Sequence, residues 1–293
     1  MNICFDTSAI NALCDDPDST LLIAKIRSSH KVLLTSLSIV EVIANSSAER
    51  RKSLLDLLKA LSDGTLPLAM PNKLVRRATR AFSKGKLRLM ASITQEEYPT
   101  WWIVNDALLA EKNEQEEAFQ WMKSLEEPFR QIHRDAREVF QQMLAEHPSQ
   151  RPRSAGGFIK SFERTESVSG GRDALYKLVQ NLYKKETSQH LSRDAMRQLF
   201  YRVPQWPLML AGWAHEAFAR AFQTSNYGPN KKPGQLDLWC AVYLPMCDVF
   251  VTNDNGQYRA LRLLNVLGRR MADRPVPRTR VLKYSVFRRT VLP

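Results

Sequence analysis

The sequence predicts an α/β protein with a central, mainly parallel sheet and a large all-helical insertion. Three observations lead to this prediction. Short apolar runs alternate with helical patterns over the first part of the chain, the alternation stops from residue 73 onwards, and it returns at residue 235. Alternating strands and helices favour a parallel sheet with helices on both faces. We therefore expect one discontinuous domain, residues 1–72 and 235–293, interrupted by a helical insertion at 73–234.

The first half of this domain begins with an apolar run that ends in an acid. Residues 2–6 predict a buried strand that presents Asp6 at its end. Thr7 and Ser8 then begin a helix, and either Ser36 or Ser38 caps a later one. In chain order the predicted elements are a strand at 2–6, helices from residue 7 and at 18–29, a strand at 31–35, a helix around 39–43, a helix at 48–62 and a short edge strand at 66–70.

The remainder of the chain has a helical middle and an α/β end. The segments 104–145 and 171–223 have helical periodicity, whereas 148–172 and 225–234 contain the Gly and Pro residues typical of loops. The predicted elements after the insertion are a helix at 235–246, a strand at 248–252, a helix at 255–267 and a strand at 279–283.

The charge of the chain is strongly basic and unevenly distributed. The net charge is +13 at pH 7, and residues 256–293 carry ten Lys or Arg against one acid, Asp273. Such a surface favours a polyanionic partner, because bound phosphates release counterions. We expect Arg259, Arg262, Arg269 and Arg270 to bind nucleic acid.

The composition also excludes several classes of protein. The four cysteines, Cys4, Cys14, Cys240 and Cys247, form no CxxC pair, which argues against a structural zinc site. The sequence has no run of 18 apolar residues and no basic, apolar leader at its N-terminus. We therefore expect a cytoplasmic protein without a membrane span.

Four acids occupy positions where strands end or helices begin. Asp6 follows the first strand and Asp254 follows the strand 248–252, while Glu41 and Asp237 lie one turn into helices. Ligands of open parallel sheets bind beyond the carboxyl ends of the strands. Clustered carboxylates repel one another unless a cation shares their charge, and their hard oxygens suit Mg²⁺ or Mn²⁺. Asn253 is a further candidate to contact substrate or a metal ligand.

The stretches around these acids resemble the PIN-domain nucleases, which include the VapC-type toxins of bacterial toxin–antitoxin pairs. The resemblance covers about residues 1–60 and 235–285. Its anchors occur in the family's order: Ile3-Cys4-Phe5-Asp6-Thr7-Ser8-Ala9, Ser38-Ile39-Val40-Glu41-Val42, Leu236-Asp237-Leu238-Trp239-Cys240-Ala241 and Phe250-Val251-Thr252-Asn253-Asp254. Minimal members of the family lack the long insertion between the second and third acids.

The resemblance implies a PIN-like α/β/α sandwich with a five-stranded parallel sheet and a metal-dependent endoribonuclease. Asp6, Glu41, Asp237 and Asp254 would be catalytic metal ligands for Mg²⁺ or Mn²⁺ in a two-metal-ion hydrolysis of RNA. Thr7 or Ser8 would support the first Asp, and Thr252 would orient the last. The partners that it implies are RNA, an antitoxin protein and a second copy of the chain.

Two other functions compete with this one. A PIN-like module that binds RNA or protein without cutting would need none of the four acids, all of which are present. A haloacid-dehalogenase-like, Mg-dependent phosphatase also places an Asp after its first strand. Its chemistry requires a second Asp two residues further on, where this chain has Ser8.

Overall fold

Four parallel strands form the centre of the fold. The computed structural model describes residues 1–62, 67–86, 171–222, 238–271 and 279–292, together with residues 120, 145, 154 and 157. The strands lie in the order β2-β1-β3-β4, and every neighbouring pair is parallel. They are β1 (Asn2–Phe5), β2 (Lys31–Leu33), β3 (Val249–Thr252) and β4 (Arg280–Lys283). The prediction of an α/β protein with a parallel sheet is thus confirmed.

Helices make up most of the described chain. In chain order they are α1 (Thr7–Cys14), α2 (Ser19–Ser29), α3 (Ser36–Ile43), α4 (Ala48–Ser62), α5 (Pro71–Ser83), α6 (Gly171–Thr187), α7 (Arg193–Arg202), α8 (Gln205–Phe222), a 3-10 helix (Cys240–Met246), α9 (Asn255–Met271) and α10 (Tyr284–Val291). No helix among the residues that the structure describes is long and apolar enough to cross a membrane.

The register of the sheet brings distant parts of the chain side by side. Cys4 in β1 is opposite Leu33 in β2 and Phe250 in β3. All strands are parallel, so the residues that follow β1 and β3 meet at one edge of the sheet. This edge therefore joins the first residues of the chain to residues near 250.

The predicted edge strand at 66–70 is present only as a single bridge. Leu68 donates its N–H to Leu34 O over 2.7 Å and accepts from Ser36 N over 2.9 Å, which makes one isolated parallel bridge with Thr35. Pro67 has no N–H with which to continue the ladder. The described residues therefore contain four strands rather than five.

Two hydrophobic cores fill the two faces of the sheet, as the alternation of side chains along a strand requires. Ile3, Phe5, Val249 and Val251 point into the core formed with α1, α2, α4 and α10. Cys4 and Phe250 point into the other core, formed with α5, the helices between 171 and 222, the 3-10 helix and α9. The sheet is therefore covered by helices on both sides.

The described part of the predicted insertion is helical, as expected, but it is interrupted. The segment 171–223, for which the sequence predicts helical periodicity, contains three helices, which are separated near residues 188–192 and 203–204. The segment 104–145, with its predicted helical periodicity, and the predicted loops at 148–172 and 225–234 lie almost wholly outside the described residues. The end of the predicted helix at 235–246 is a 3-10 helix that contains Pro245, which cannot donate a backbone hydrogen bond.

Candidate functional site

Asp6 lies at the carboxyl end of the central strand. Its backbone N–H donates to Val251 O over 3.0 Å, which extends the pairing of β1 with β3 by one residue. Its side chain caps α1, since Oδ1 accepts from Ala9 N over 2.7 Å. Asp6 as a whole residue is 5% exposed. One residue thus ends a strand, begins a helix and presents a buried acid.

Two hydroxyl groups from opposite ends of the chain hold the Asp6 carboxylate. Ser8 Oγ lies 2.9 Å from both carboxylate oxygens, and Thr252 Oγ1 donates to Oδ2 over 2.7 Å. With Ala9 N–H, three donors serve a carboxylate that has about four lone-pair sites. The expected support of the first Asp is therefore made by Ser8, and one acceptor site is left for a further ligand.

Burial raises the pKa of Asp6 to about 6, from an ordinary 3.8. Removal from water disfavours the charged form, and the hydrogen bonds from Thr252, Ala9 and Ser8 offset only part of this effect. The negative charge of Asp254 raises the pKa further. Within the described residues, no cation acts on Asp6 to oppose these effects. Its negative charge is thus buried with hydrogen-bond donors but without a compensating cation in the described chain.

Asp254 lies beside Asp6 because β3 is the neighbour of β1. The N–H groups of Asn253 and Asp254 both donate to Ser8 Oγ, over 2.8 and 3.0 Å. Asp254 Oδ1 accepts from Gln257 N over 2.6 Å, which caps the start of α9 with one of its two carboxylate oxygens. The Asp254 side chain is exposed, unlike that of Asp6. Asn253 is exposed as well.

Glu41 joins this group from α3. It is half-buried in the second turn of the helix, and its Oε2 accepts from Thr7 Oγ1. The Thr7 hydroxyl therefore donates a hydrogen bond to Glu41, whereas the hydroxyl of its neighbour Ser8 donates to Asp6. The N-cap of α3 is Thr35, whose Oγ1 accepts from Ser38 N over 3.1 Å, so the expected caps Ser36 and Ser38 are wrong.

Asp237, the fourth predicted acid, lies outside the described residues. The chain is described again from Leu238, which is buried. Among the residues that are described, no three His, Cys, Asp or Glu side chains lie close enough together to hold a metal ion. The structure thus brings Asp6 and Asp254 together and ties Glu41 to α1, and it leaves the position of the fourth acid open.

The donor chemistry of this edge fits a hard divalent cation. Asp6 offers a buried carboxylate without a cationic partner in the described chain, with a second carboxylate close enough to raise its pKa. Carboxylate oxygens are the ligands that Mg²⁺ and Mn²⁺ prefer. A cation here would neutralise a charge that the protein otherwise buries at a cost.

The four predicted phosphate-binding arginines differ in their surroundings. Arg259 and Arg262 are exposed on α9, the helix that begins after Asp254. Arg262 donates to Tyr258 Oη over 2.9 Å and lies 5.4 Å from the centre of that ring. Arg269 is half-buried, with its Nε shielded from solvent, and the side chain of Arg270 lies outside the description. The exposed basic surface at this edge is therefore formed by the first two.

The sequence indicated neither Gln257 nor the contact that Ser38 makes at the site. Gln257 is buried, and its Oε1 lies 2.7 Å from Thr252 Oγ1, the hydroxyl that holds Asp6. Ser38 Oγ donates to Phe5 O over 3.2 Å and so fixes α3 to the end of β1. The spacing of Asp254 and Gln257 is that of a capping box, which could have indicated that Gln257 lies in the first turn of α9 beside Asp254.

The comparisons with known proteins do not identify the chain. No family model, no curated protein and no solved structure matches it.

Proposed function

We propose that the chain is a metal-dependent endoribonuclease of the PIN-domain type, with Asp6 as its central acid. The observation that supports this proposal is the meeting of Asp6 and Asp254 at the carboxyl edge of β1 and β3. They are linked through Ser8 and Thr252, although they lie 248 positions apart in sequence. A fold that needed only helix caps would not require two acids, one of them buried, at the same edge of its sheet.

The residues at this edge have distinct tasks in the proposed reaction. Asp6 and Asp254, with the predicted ligand Asp237, would hold Mg²⁺ or Mn²⁺, and Glu41 would orient the attacking water. The ion would supply an activated water and neutralise charge on the phosphate. Ser8 and Thr252 keep the Asp6 carboxylate in one orientation through their hydroxyl hydrogens. Preorganised groups of this kind need no rearrangement during reaction.

The exposed arginines would position the RNA backbone. Arg259 and Arg262 lie one and two turns into the helix that starts beside Asp254. A guanidinium group binds phosphate through paired N–H donors. They would hold phosphates that flank the one at the acids, and this contact would be independent of RNA sequence.

The test is cleavage of total cellular RNA with Mg²⁺ or Mn²⁺, with mapping of the 5′ ends. We expect Asp6→Asn to lower the rate by about 100-fold or more and to leave RNA binding intact. Asp248→Asn is the matched control. Asp248 is exposed at the opposite end of β3, where its Oδ2 accepts from Asn2 N over 2.7 Å. This variant should cut RNA at the wild-type rate.

Other outcomes would contradict the proposal. If Asp6→Asn cut as fast as wild type, the acids at this edge would not be the catalytic site. If the wild type bound RNA but did not cut it with either ion, a binding module would be the better description. Hydrolysis of simple phosphate monoesters without cleavage of RNA would favour the phosphatase.

A further inference from the structure

A cavity of about 400 Å³ lies between α5, α6, α8 and the helical segment that begins at Leu238. Its volume is within the range of small-ligand pockets, about 300–1,000 Å³. The lining residues belong to the described chain and none of them is among the acids of the candidate site. The cavity is therefore separate from the acids of the candidate site.

Three of the six tryptophans of the chain form the apolar wall of this cavity: Trp206, Trp213 and Trp239. Trp206 is buried and fixed in place, because its Nε1 donates to Thr79 Oγ1 over 2.9 Å. Trp239 is also buried, whereas Trp213 is half-buried nearer the surface. A wall of indole rings suits a flat aromatic group, since aromatic faces gain energy beyond simple burial when they pack together.

The rim of the cavity is polar and has an excess of positive charge. Arg76 and Lys185 are exposed there, against the single acid Glu186, so the charges of the lining sum to +1. Arg76 Nε lies 2.7 Å from Glu186 Oε1, which joins α5 to α6 across the rim. In the described structure Glu186 forms its salt bridge at this rim with Arg76 and forms none with Lys185. The Lys185 ammonium group is exposed. An anionic group on an aromatic ligand fits this arrangement.

We propose that the cavity binds a nucleotide, with the base against the tryptophans and the phosphate at Arg76 and Lys185. Base-on-aromatic contact is the usual way in which proteins hold unpaired bases, and it tolerates any base sequence. In sequence, Trp239 follows the predicted third acid, Asp237, by two residues. If the nucleotide belongs to an RNA strand, the cavity is a substrate subsite and rests on the proposed function.

Calorimetric titration in EDTA tests the assignment without any cleavage. The probes are the four ribonucleoside 5′-monophosphates, with ribose 5-phosphate as the ligand that lacks a base. We expect the nucleotides to bind and ribose 5-phosphate not to bind. Trp213→Leu should weaken nucleotide binding by about 5- to 100-fold, the effect of losing one base–aromatic contact.

A pair of neighbouring lysines provides the matched control. Lys185 lines the cavity, whereas Lys184 is exposed on the same helix and does not. Lys185→Glu should weaken nucleotide binding at least as much as Trp213→Leu does, and Lys184→Glu should leave it unchanged. Because both lysines are exposed, this pair decides the question even if Trp213→Leu fails to fold.

Three results would overturn the assignment: no binding of any nucleotide at millimolar concentration, equal binding of ribose 5-phosphate, or equal weakening by the two lysine variants. Displacement of the bound nucleotide by a single-stranded oligoribonucleotide would show that the occupant is part of an RNA strand. Failure of displacement would show a free nucleotide. Asp6→Asn should not change these titrations, so this assignment and the nuclease proposal can fail separately.

Discussion

Replacement of Asp6 by asparagine should stabilise the protein in metal-free buffer near neutral pH. Asp6 is buried, and its pKa is about 6 in the folded protein against an ordinary 3.8. Asparagine has nearly the same shape and is a good N-cap, so it can still accept from Ala9 N. Its amide nitrogen can donate to Thr252 Oγ1, which then no longer needs to donate to residue 6. The variant therefore removes a buried charge and keeps most of the contacts.

The size of the effect follows from the two pKa values. Between pH 3.8 and about 6 the folded state binds more protons at Asp6 than the unfolded state does. The free energy of unfolding therefore falls as pH rises through this window, by about 3 kcal/mol in total. The asparagine variant does not lose this stability, because its side chain does not ionise. Allowing for weaker hydrogen bonds to a neutral amide, we expect it to be about 1–3 kcal/mol more stable than wild type above this window.

Urea unfolding in EDTA, followed by circular dichroism across the pH range, measures this difference. The gain should be largest above the window and vanish below it. Asp248→Asn, an exposed change at the other end of β3, is the control that should show no such pH dependence. A destabilisation by Asp6→Asn that is the same at high and low pH would refute the reasoning. Added Mg²⁺ should stabilise the wild type at high pH and not the variant, if Asp6 binds the ion.

Three further changes test other parts of the structure. Ser8→Ala removes an acceptor of the Asp254 N–H. At temperatures well below unfolding, this variant should cut RNA more slowly than wild type, and urea titrations should show a loss of about 1 kcal/mol in the free energy of unfolding. Gly268→Ala should destabilise by about 1–3 kcal/mol, because a Cβ there would lie 2.7 Å from Leu208 Cδ2. Adding Leu208→Ala should then cost less than the sum of the two single changes, and additivity would count against the contact. Arg288→Ala should lower the melting temperature, since its guanidinium group binds acids near the start of α2.

The sequence predicts the strands and the acids at their ends because these features are local. An apolar run that stops at an acid marks both Asp6 and the segment before Asp254, and the alternation with helices predicts that the strands are parallel. What the pattern cannot give is which hydroxyl contacts which carboxylate. Thr7 and Ser8 are adjacent and chemically alike, yet Thr7 donates a hydrogen bond to Glu41 and Ser8 donates to Asp6.

Other features depend on contacts between residues far apart in the chain. Trp206 resembles any apolar residue of an amphipathic helix, and only the fold shows that it donates to Thr79, which lies 127 residues earlier. Arg269 resembles the other arginines of α9 in sequence, but packing leaves it half-buried. The burial of Gln257 next to Thr252 is likewise set by how α9 docks on the sheet.

The described helices of the predicted insertion are part of the main fold. Val179, Leu199 and Trp206 belong to the same core as Cys4 and Phe250, which lie on the two central strands. These helices pack on α5, the 3-10 helix and α9. If they were absent, the apolar sides of those helices would be exposed to water, at about 25 cal/mol for each Å² of apolar surface. Residues 171–222 therefore stabilise the helices that cover one face of β1 and β3, the strands that precede Asp6 and Asp254. The helices of residues 171–222 thus have a role in folding, and any role in substrate binding would come in addition to it.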